Sequence, residues 1–259
     1  MTDFPRRVRL VVAYQGSAYC GWQAQPNGTS VQEVLEQAFE KMTGAPVRAL
    51  AASRTDAGVH AAAQVVCLDN PSRHDPQTLL RGLNFHLSED VAVLEADWAP
   101  DGFDPRHAAV GKHYRYTLHL GQAKPVFERG LRWHLRGQLD VAAMQAAVLQ
   151  LQGEHDFSAF RGTRCEARSP VRSLDRIDWR LDRPTLTLEV FGRSFLKQMV
   201  RNIAGTCVEI GRGRWPADQM TEILASRDRT RAGQTAPACG LCLMRVFYDP
   251  DEYRQACQG

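Results

Sequence analysis

The 259-residue sequence contains no run of about eighteen apolar residues, the length that a membrane-spanning helix needs. Its first residues, 1–7, include two arginines but lack the apolar core of a secretory signal peptide. Membrane insertion and secretion are therefore not expected, and the cytoplasm is the predicted location. A hydrophobic content of 44% is sufficient for the packed cores of one large domain or two ordinary ones.

The chain also has few residues with which to build a disulfide framework or a metal centre. Its seven cysteines are an odd number, and several lie on apolar segments, which favours reduced, mostly buried thiols. Cys239 and Cys242 have the spacing of half a zinc site. Structural zinc normally takes four ligands, and neither a second cysteine pair nor a His-x-His cluster is available. We therefore predict no bound metal.

The formal net charge of +3 hides an uneven distribution. Residues 1–105 carry 8 Lys and Arg against 13 Asp and Glu, whereas residues 106–259 carry 24 against 16. The basic residues that cluster in the second half are Arg161, Arg164, Arg168, Arg172, Arg176, Arg180, Arg183, Arg193, Lys197, Arg201, Arg212 and Arg214. Guanidinium groups bind phosphate oxygens in pairs, so a nucleic acid is the natural partner. The alternative is an ordinary solvated face, because four acidic residues between 166 and 182 interrupt the run.

Hydrophobic periodicity predicts the same order of elements twice. In the first half, strands are predicted at 7–14, 47–52, 62–68 and 91–98, with helices at 31–42, behind a Ser30 cap, and 76–85. In the second half, strands are predicted at 113–120, 172–180, 185–191 and 241–247, with helices at 141–152 and 195–210 and a short one after Pro216. Both halves have the order βαββαβ. The predicted fold class is therefore α+β, with two tandem ferredoxin-like units of antiparallel sheet at 1–105 and 106–259.

The segment SRTDAGVH at 53–60 places one carboxylate, Asp56, between two predicted strands. A loop between strands is positioned by rigid elements and can still face a cleft, which is typical of a catalytic residue. The composition Thr-Asp-Ala-Gly is also that of a surface turn, because Asp bonds its own backbone and Gly accepts positive φ. Taken alone, the segment favours the turn.

Four further motifs accompany this segment: GSAYCGWQAQ at 16–25, KHYRY at 112–116, FLKQMVRN at 195–202 and APACGL at 236–241. In this order, the five motifs resemble the TruA family of tRNA pseudouridine synthases, from about Arg7 to Tyr248. The chain departs from the family pattern at Ser53, where Gly is usual, at 104–105, where His-Ala is common, and at 84–87, where a Leu-Pro ending is usual. These departures concern loop detail more than chemistry.

The resemblance implies an RNA-binding isomerase that forms pseudouridine from uridine in the anticodon stem-loop of tRNA, at tRNA positions 38–40. It further implies a homodimer that needs no cofactor, with the two sheets meeting edge to edge and the active cleft on their open face. Asp56 would be the nucleophile and Arg201 its partner, which would orient the carboxylate and favour its ionised form. Tyr114 would stack on the target uracil and exchange protons with it, whereas Tyr116, on the same strand face, is expected to be a packed aromatic.

The resemblance also suggests residues that bind the substrate. Arg54 would fill the space that a flipped uridine leaves in the helical stack. Gln23 is expected to frame the cleft or contact RNA, and Arg106 to bind substrate. Trp22 has either the same role as Gln23 or a structural one. His60 is expected to support the turn rather than carry a proton.

Two other functions are compatible with the same residues. One is a non-catalytic RNA-binding protein of the same fold, against which the joint presence of Asp56, Tyr114 and Arg201 argues. The other is a hydrolase of nucleosides or phosphoesters that uses Asp56, with or without a metal ion. Release of free uracil or phosphate would identify the hydrolase.

Overall fold

The computed structural model describes residues 6–26 and 28–259, which form two compact units. The first unit extends to Val110 and also contains Leu243–Tyr248. The second comprises Gly111–Cys242 and Asp249–Gly259. The predicted division after residue 105 lies close to Val110, and the sequence does not predict that Leu243–Tyr248 belongs to the first unit.

The first unit has the predicted order βαββαβ. Its elements are β1 (Arg6–Tyr14), α1 (Val31–Thr43), β2 (Leu50–Ala51), β3 (His60–Asn70), α2 (Pro76–His86) and β4 (Val91–Trp98). The strands lie side by side in the order β4, β1, β3, β2, and every pairing is antiparallel. This is a ferredoxin-like unit, as the sequence predicts.

The sequence specifies both helices of this unit at their ends. Ser30 and Glu33 form a capping box at the start of α1, in which the Ser30 amide donates to the Glu33 carboxylate at 2.8 Å. Gly44 ends α1 with a φ of +73°. Asp75 accepts a bond from the Thr78 amide at 3.0 Å, and Pro76 follows it in the first turn of α2. Local signals therefore fix where each helix begins.

The second unit repeats this order with additions. Its elements are β5 (Gly111–Leu120), β6 (Trp133–Leu135), α3 (Val141–Leu149), β7 (Gly153–Asp156), β8 (Val171–Leu174), β9 (Arg176–Asp182), β10 (Thr185–Gly192), α4 (Met199–Gly211), α5 (Gln219–Ser226) and α6 (Pro250–Gln258). The last strand of the repeated order, β11 (Leu241–Phe247), lies mostly in the first unit, to which Leu243–Tyr248 belongs. Strand β10 lies between β5 and β9 and is antiparallel to both. Strand β6 adds to β5 in parallel, so the sheet is not purely antiparallel. The α+β class is confirmed.

The predicted strand at 172–180 is two strands. Residues of β8 pair with β7, whereas β9 pairs with β10, so one alternating segment serves two sheets. The change occurs at Asp175, whose amide donates to the Phe191 carbonyl at 2.9 Å and whose carboxylate accepts a bond from Tyr253 at 2.6 Å. Alternation alone does not reveal which partner a strand takes.

Helix α4 begins at Met199, four residues after the predicted start at 195. Gln198 has a φ of +60°, and this left-handed conformation prevents the helix from extending further towards its N-terminus. Strands β6 and β7 and helix α6 are not predicted by the sequence analysis. Among the described residues, no helix combines the length and the apolar character that a membrane crossing requires.

Candidate active site

The loop between β2 and β3 carries Arg54 and Asp56. Asp56 is half-buried and Arg54 is exposed, whereas Thr55 between them is buried. The Val59 amide donates to the Asp56 carbonyl at 3.1 Å, and Gly58 has a φ of +76°. The predicted turn is therefore present in the backbone, and it leaves the Asp56 side chain partly open to solvent.

The glycine-rich segment at 16–25 packs its backbone directly against this loop. Gly21 has a φ of +113°, and a Cβ at this position would lie 2.7 Å from the Thr55 carbonyl oxygen. The Trp22 amide donates to the same oxygen at 3.1 Å. Only glycine satisfies both conditions at position 21, since a side chain would clash and would strain the backbone. The segment thus holds the residue that immediately precedes Asp56.

Buried side chains on β1 and β3 hold the loop as well. The hydroxyls of Tyr14 and Thr55 are hydrogen-bonded at 2.8 Å. Gln64, which has no exposed surface, donates from Nε2 to the Ser53 carbonyl at 2.7 Å and accepts from the Ser53 amide at 3.1 Å. A buried polar group that loses its partner costs about 1–3 kcal/mol, so this network resists displacement. Asp56 is therefore presented from a fixed backbone.

His60 and Trp22 have structural positions. His60 is buried, and its Nδ1 accepts a bond from the Gly16 amide at 3.0 Å, in agreement with its predicted support of the turn. Trp22 is buried too, with its ring 6.2 Å from that of Tyr14. The structural role considered for Trp22 is therefore the one that its environment supports, whereas Gln23 beside it is exposed.

Tyr114 and Tyr116 lie on the same face of β5. Tyr114 is 6% exposed, and its ring meets that of Phe195 edge-on at 5.0 Å. Tyr116 has no exposed surface, and its hydroxyl donates to the Pro237 carbonyl at 2.8 Å. Burial raises the pKa of Tyr116 well above its usual value, so the hydroxyl remains a donor. Tyr116 is the packed aromatic that the sequence predicts.

Arg201 lies in the first turn of α4 and is half-buried. Its Nε donates to the Ala236 carbonyl at 2.8 Å, and the Ala236 amide donates back to the Arg201 carbonyl at 3.1 Å. The motif at 195–202 therefore meets the motif at 236–241 through Arg201. An arginine beside an apolar helix face needs such a partner.

The five motifs meet in two groups. Those at 16–25 and 53–60 come together in the first unit, and those at 112–116, 195–202 and 236–241 come together in the second. Asp56 belongs to the first unit, whereas Tyr114 and Arg201 belong to the second. Each unit thus brings together its own motifs and its own candidate site residues.

Arg106 is exposed on a short turn of the first unit. Asp104 accepts bonds from the amides of His107 and Arg106, both at 2.8 Å. These bonds hold the pKa of Asp104 below its usual range, and the bond from the His107 amide contributes most. The aspartate that departs from the family pattern therefore caps the turn that carries Arg106.

The basic residues of the second half divide into two sets. Several are neutralised or used internally: Arg176 and Arg180 pair with Asp178, and Arg212 and Arg214 pair with Glu209. Others are exposed: Arg164, Arg168, Arg183, Arg193 and Lys197. The solvated-face interpretation is therefore correct for the first set, and the exposed set is the part of the cluster available to a polyanion.

The seven cysteines are free thiols, as predicted, although only Cys67 and Cys207 are fully buried. Burial raises the pKa of Cys67 to about 11, which keeps this thiol protonated. Within residues 6–26 and 28–259, no three His, Cys, Asp or Glu side chains are grouped closely enough to hold a metal ion.

Sequence reasoning does not identify the residues that hold Asp56 in place. Tyr14 reads as an ordinary strand aromatic and Gln64 as one polar position in an apolar strand. The signal that the sequence does offer is a single amide, Gln64, within the apolar run AAAQVVCL. A side chain buried with such a run needs partners for its donors and acceptors. Those partners lie eleven residues away at Ser53, beyond the reach of a local pattern.

A half-buried carboxylate on a loop held from several elements and, separately, a set of exposed cations are features that an enzyme acting on a polyanion can use. The comparison with known families is more specific. The chain belongs to the tRNA pseudouridine synthases, whose family profile matches residues 10–106 and 147–249.

Curated relatives agree with this assignment. The chain is 46% identical to tRNA pseudouridine synthase A of Acidiphilium cryptum, over 96% of this chain and 98% of that protein. It is 44% identical to the enzyme of the same name from Geobacter sulfurreducens, over 94% of this chain and 100% of that protein. A solved archaeal Nop10-Cbf5 complex matches at 13% identity over 78% of this chain and 44% of that chain, with a TM-score of 0.32, which adds nothing to the assignment.

The protein is therefore an isomerase that converts uridine to pseudouridine in tRNA. This activity decides against the two alternatives, a non-catalytic RNA-binding protein and a hydrolase. The reaction must break the bond between ribose C1′ and uracil N1, turn the base, and join C1′ to C5.

Proposed function

We propose that this enzyme modifies uridines of the anticodon stem-loop, at tRNA positions 38–40, and that Asp56 is its nucleophile. The observation that carries the assignment of Asp56 is its presentation on a loop that Gly21, Tyr14 and Gln64 hold from separate elements. A carboxylate in a fixed position can trap or stabilise the sugar or the base while the glycosidic bond is broken. Attack at C1′, attack at C6 and removal of the 2′ proton are all compatible with this position.

Arg201 of the second unit is the proposed partner of Asp56. A guanidinium next to a carboxylate favours its ionised form and orients its oxygens. Half-burial strengthens such an interaction, because water screens it less than at the surface. The bond from Nε to the Ala236 carbonyl uses one edge of the guanidinium and sets its plane.

Tyr114 is proposed to lie against the target uracil. Its ring is held by the edge-on contact with Phe195, so a stacking face can be presented without a large loss of side-chain entropy. Its hydroxyl is suited to hydrogen bonding or proton exchange while the C5 proton leaves. Gln23 and Arg106, both exposed, are proposed as further substrate contacts.

The direct test of the substrate is to map pseudouridine in tRNA from cells with and without the gene for this protein. Loss of the modification at positions 38–40 alone supports the proposal. Loss at positions outside the anticodon stem-loop, with 38–40 unchanged, contradicts it. If the wild-type chain restores pseudouridine at these positions and a chain without Asp56 does not, the modification depends on this site.

A cytoplasmic homodimer is the proposed form of the enzyme, as the family resemblance implies. Analytical ultracentrifugation of the purified chain should give twice the chain mass at micromolar concentration. A species of single-chain mass that retains full activity would contradict the dimer. Turnover by the purified enzyme without any added cofactor is also expected, since the isomerisation involves no redox change and no phosphoryl transfer.

Replacing Arg54 with alanine should slow turnover on a uridine within a stem more than on one already unpaired in a loop. The exposed Arg54 precedes Asp56 by two residues and can occupy the vacated stack, whereas an unpaired base needs no such help. Unstacking costs a few kcal/mol, so the two substrates should differ by roughly tenfold or more in single-turnover rate. Arg73→Ala, another exposed arginine of the same unit, is the matched control. Equal losses on both substrates would assign Arg54 to chemistry or general docking.

Binding of tRNA should weaken steeply as salt increases, with a log-log slope of roughly −0.7 to −0.9 per phosphate contact. Replacing the exposed Arg164 and Arg168 together with alanine should make the slope less negative and leave turnover at saturating tRNA almost unchanged. The matched control replaces the exposed Arg231 and Arg254, which already pair with the exposed carboxylates of Glu222 and Asp251. Fluorescence anisotropy between 50 and 400 mM salt measures both slopes. An unaltered slope in the first variant would remove these two residues from the RNA interface.

A further inference from the structure

The segment that follows α5 returns across α4 and ends at the Arg201 side chain. Ala236 lies on this segment and exchanges two hydrogen bonds with Arg201, one from the Arg201 Nε to the Ala236 carbonyl and one from the Ala236 amide to the Arg201 carbonyl. Because the Nε bond lies in the plane of the guanidinium, the position of the Ala236 carbonyl determines where the terminal nitrogens of Arg201 point.

Thr235, on one side of Ala236, is held by Asn202 of α4. Asn202 has no exposed surface, and its side-chain oxygen accepts from the Thr235 hydroxyl at 2.7 Å and from Arg229 at 3.0 Å. Its side-chain nitrogen donates to the Phe160 carbonyl at 2.8 Å. A buried amide satisfied at both ends has little freedom to turn, so it fixes Thr235 relative to the helix.

Pro237, on the other side of Ala236, is held by Tyr116 of β5. The Tyr116 hydroxyl donates to the Pro237 carbonyl at 2.8 Å, and a Cβ at Gly240 would lie 2.5 Å from the Tyr116 ring. Two residues of this stretch, Pro237 and Gly240, therefore contact the tyrosine. Ala236 itself is fully buried. Its carbonyl is thus placed between two anchored neighbours that are tied to different elements.

Close backbone contact reinforces the arrangement further along α4. A Cβ at Gly233 would lie 2.8 Å from the Thr206 Cα, and the Gly233 amide donates to the Thr206 hydroxyl at 2.9 Å. With no side chain between the segment and the helix, the two cannot slide past each other without breaking these bonds. The segment at 229–237 is therefore bonded to α4 at Thr206, Asn202 and Arg201.

We propose that Asn202, Thr235 and Tyr116 are positioning residues for the isomerisation, which hold the Ala236 carbonyl so that it aims the Arg201 guanidinium. This inference rests on the proposed role of Arg201. It assigns a kinetic function to two buried polar side chains, Asn202 and Tyr116, and to the half-buried Thr235, which would otherwise contribute only to the stability of the fold. A misplacement of about 1 Å in a catalytic group can cost 100-fold in rate, so small shifts of Ala236 suffice.

Thr235→Val tests the proposal, since it removes the hydroxyl that bonds Asn202 and keeps the shape of the side chain. We expect kcat to fall roughly 10- to 100-fold while the Kd for tRNA stays within about threefold. Thr230→Val is the matched control. The Thr230 side chain is exposed, and its hydroxyl donates to Asp228 in the same short turn rather than to α4. Tyr116→Phe, which releases Pro237, should lower kcat in the same way. This second variant keeps the test available if Thr235→Val does not fold. Unchanged kcat in a folded Thr235→Val or Tyr116→Phe enzyme would overturn the proposal.

A double-mutant cycle separates positioning from a general effect on the fold. Lysine at position 201 keeps a positive charge but has no Nε–H to bond the Ala236 carbonyl. In an Arg201→Lys enzyme, Thr235→Val should therefore reduce the single-turnover rate less than twofold further. Losses that multiply in the double variant would contradict positioning through Arg201. If Arg201→Lys alone keeps the wild-type rate, the bond from Nε to the Ala236 carbonyl is not needed and this inference fails. The proposed role of Arg201 as the charged partner of Asp56 is tested separately by removing the charge in Arg201→Met.

Discussion

Arg201→Met is expected to lower kcat by roughly 100- to 1,000-fold with little change in the Kd for tRNA. Methionine fills a similar volume but removes the charge that favours an ionised Asp56 and the donors that orient it. The half-buried position of Arg201 in the first turn of α4 argues against a role in general phosphate binding, which exposed residues fulfil. Single-turnover kinetics and anisotropy on the same tRNA measure the two quantities.

Arg212→Met provides the matched control for this prediction. Arg212 follows the end of α4, is exposed and pairs with Glu209 at 3.3 Å. Glu209 is buried, but it keeps its ion pair with Arg214 at 2.6 Å when Arg212 is replaced, so kcat should stay close to wild type. A loss of tRNA affinity without a loss of kcat in Arg201→Met would assign Arg201 to binding and leave Asp56 without its proposed partner.

Helices and strands with strong local signals are those that the sequence predicts well. Ser30, Asp75 and Pro76 are capping residues that act within one turn, so the starts of α1 and α2 follow from them. Strands β4 and β11 have the predicted bounds, 91–98 and 241–247, because each is a short and mostly apolar run. The order βαββαβ follows from these elements.

Features that depend on contacts between residues far apart in the chain are harder to predict from the sequence. The break at Asp175 depends on Phe191 and Tyr253, and the start of α4 depends on the left-handed conformation of Gln198. Strand β6 has only three residues and exists because it pairs with β5. None of these causes is visible in a window of ten residues.

The candidate site shows the same division. Asp56, Tyr114 and Arg201 are found in the sequence because their motifs resemble a known family. The groups that hold them, such as Gln64 beneath the Asp56 loop and Asn202 beneath Thr235, lie at buried positions where a polar residue only gains meaning from its partners. Sequence patterns identify the proposed reacting groups more readily than the groups that position them.

Asp56→Asn is expected to lower turnover by at least about 1,000-fold and to leave the Kd for tRNA within about threefold. The amide is nearly isosteric with the carboxylate but lacks the negative charge needed to attack or to stabilise a sugar cation. Phosphate contacts, which dominate affinity, are unaffected by the change. Asp97→Asn, at an exposed carboxylate on β4 of the same unit, is the matched control and should retain full activity.

The most direct measurement of the role of Asp56 is single-turnover release of tritium from tRNA that carries [5-³H]uridine, with enzyme in excess. Formation of the bond from C1′ to C5 must displace the C5 label, so release reports the isomerisation free of tRNA binding and product release. Wild type and Asp97→Asn should release the label at the same rate. Asp56→Asn, shown to be folded and saturated with tRNA, should show no release above the enzyme-free background. Release by Asp56→Asn at a tenth of the wild-type rate or faster would show that Asp56 is not the nucleophile.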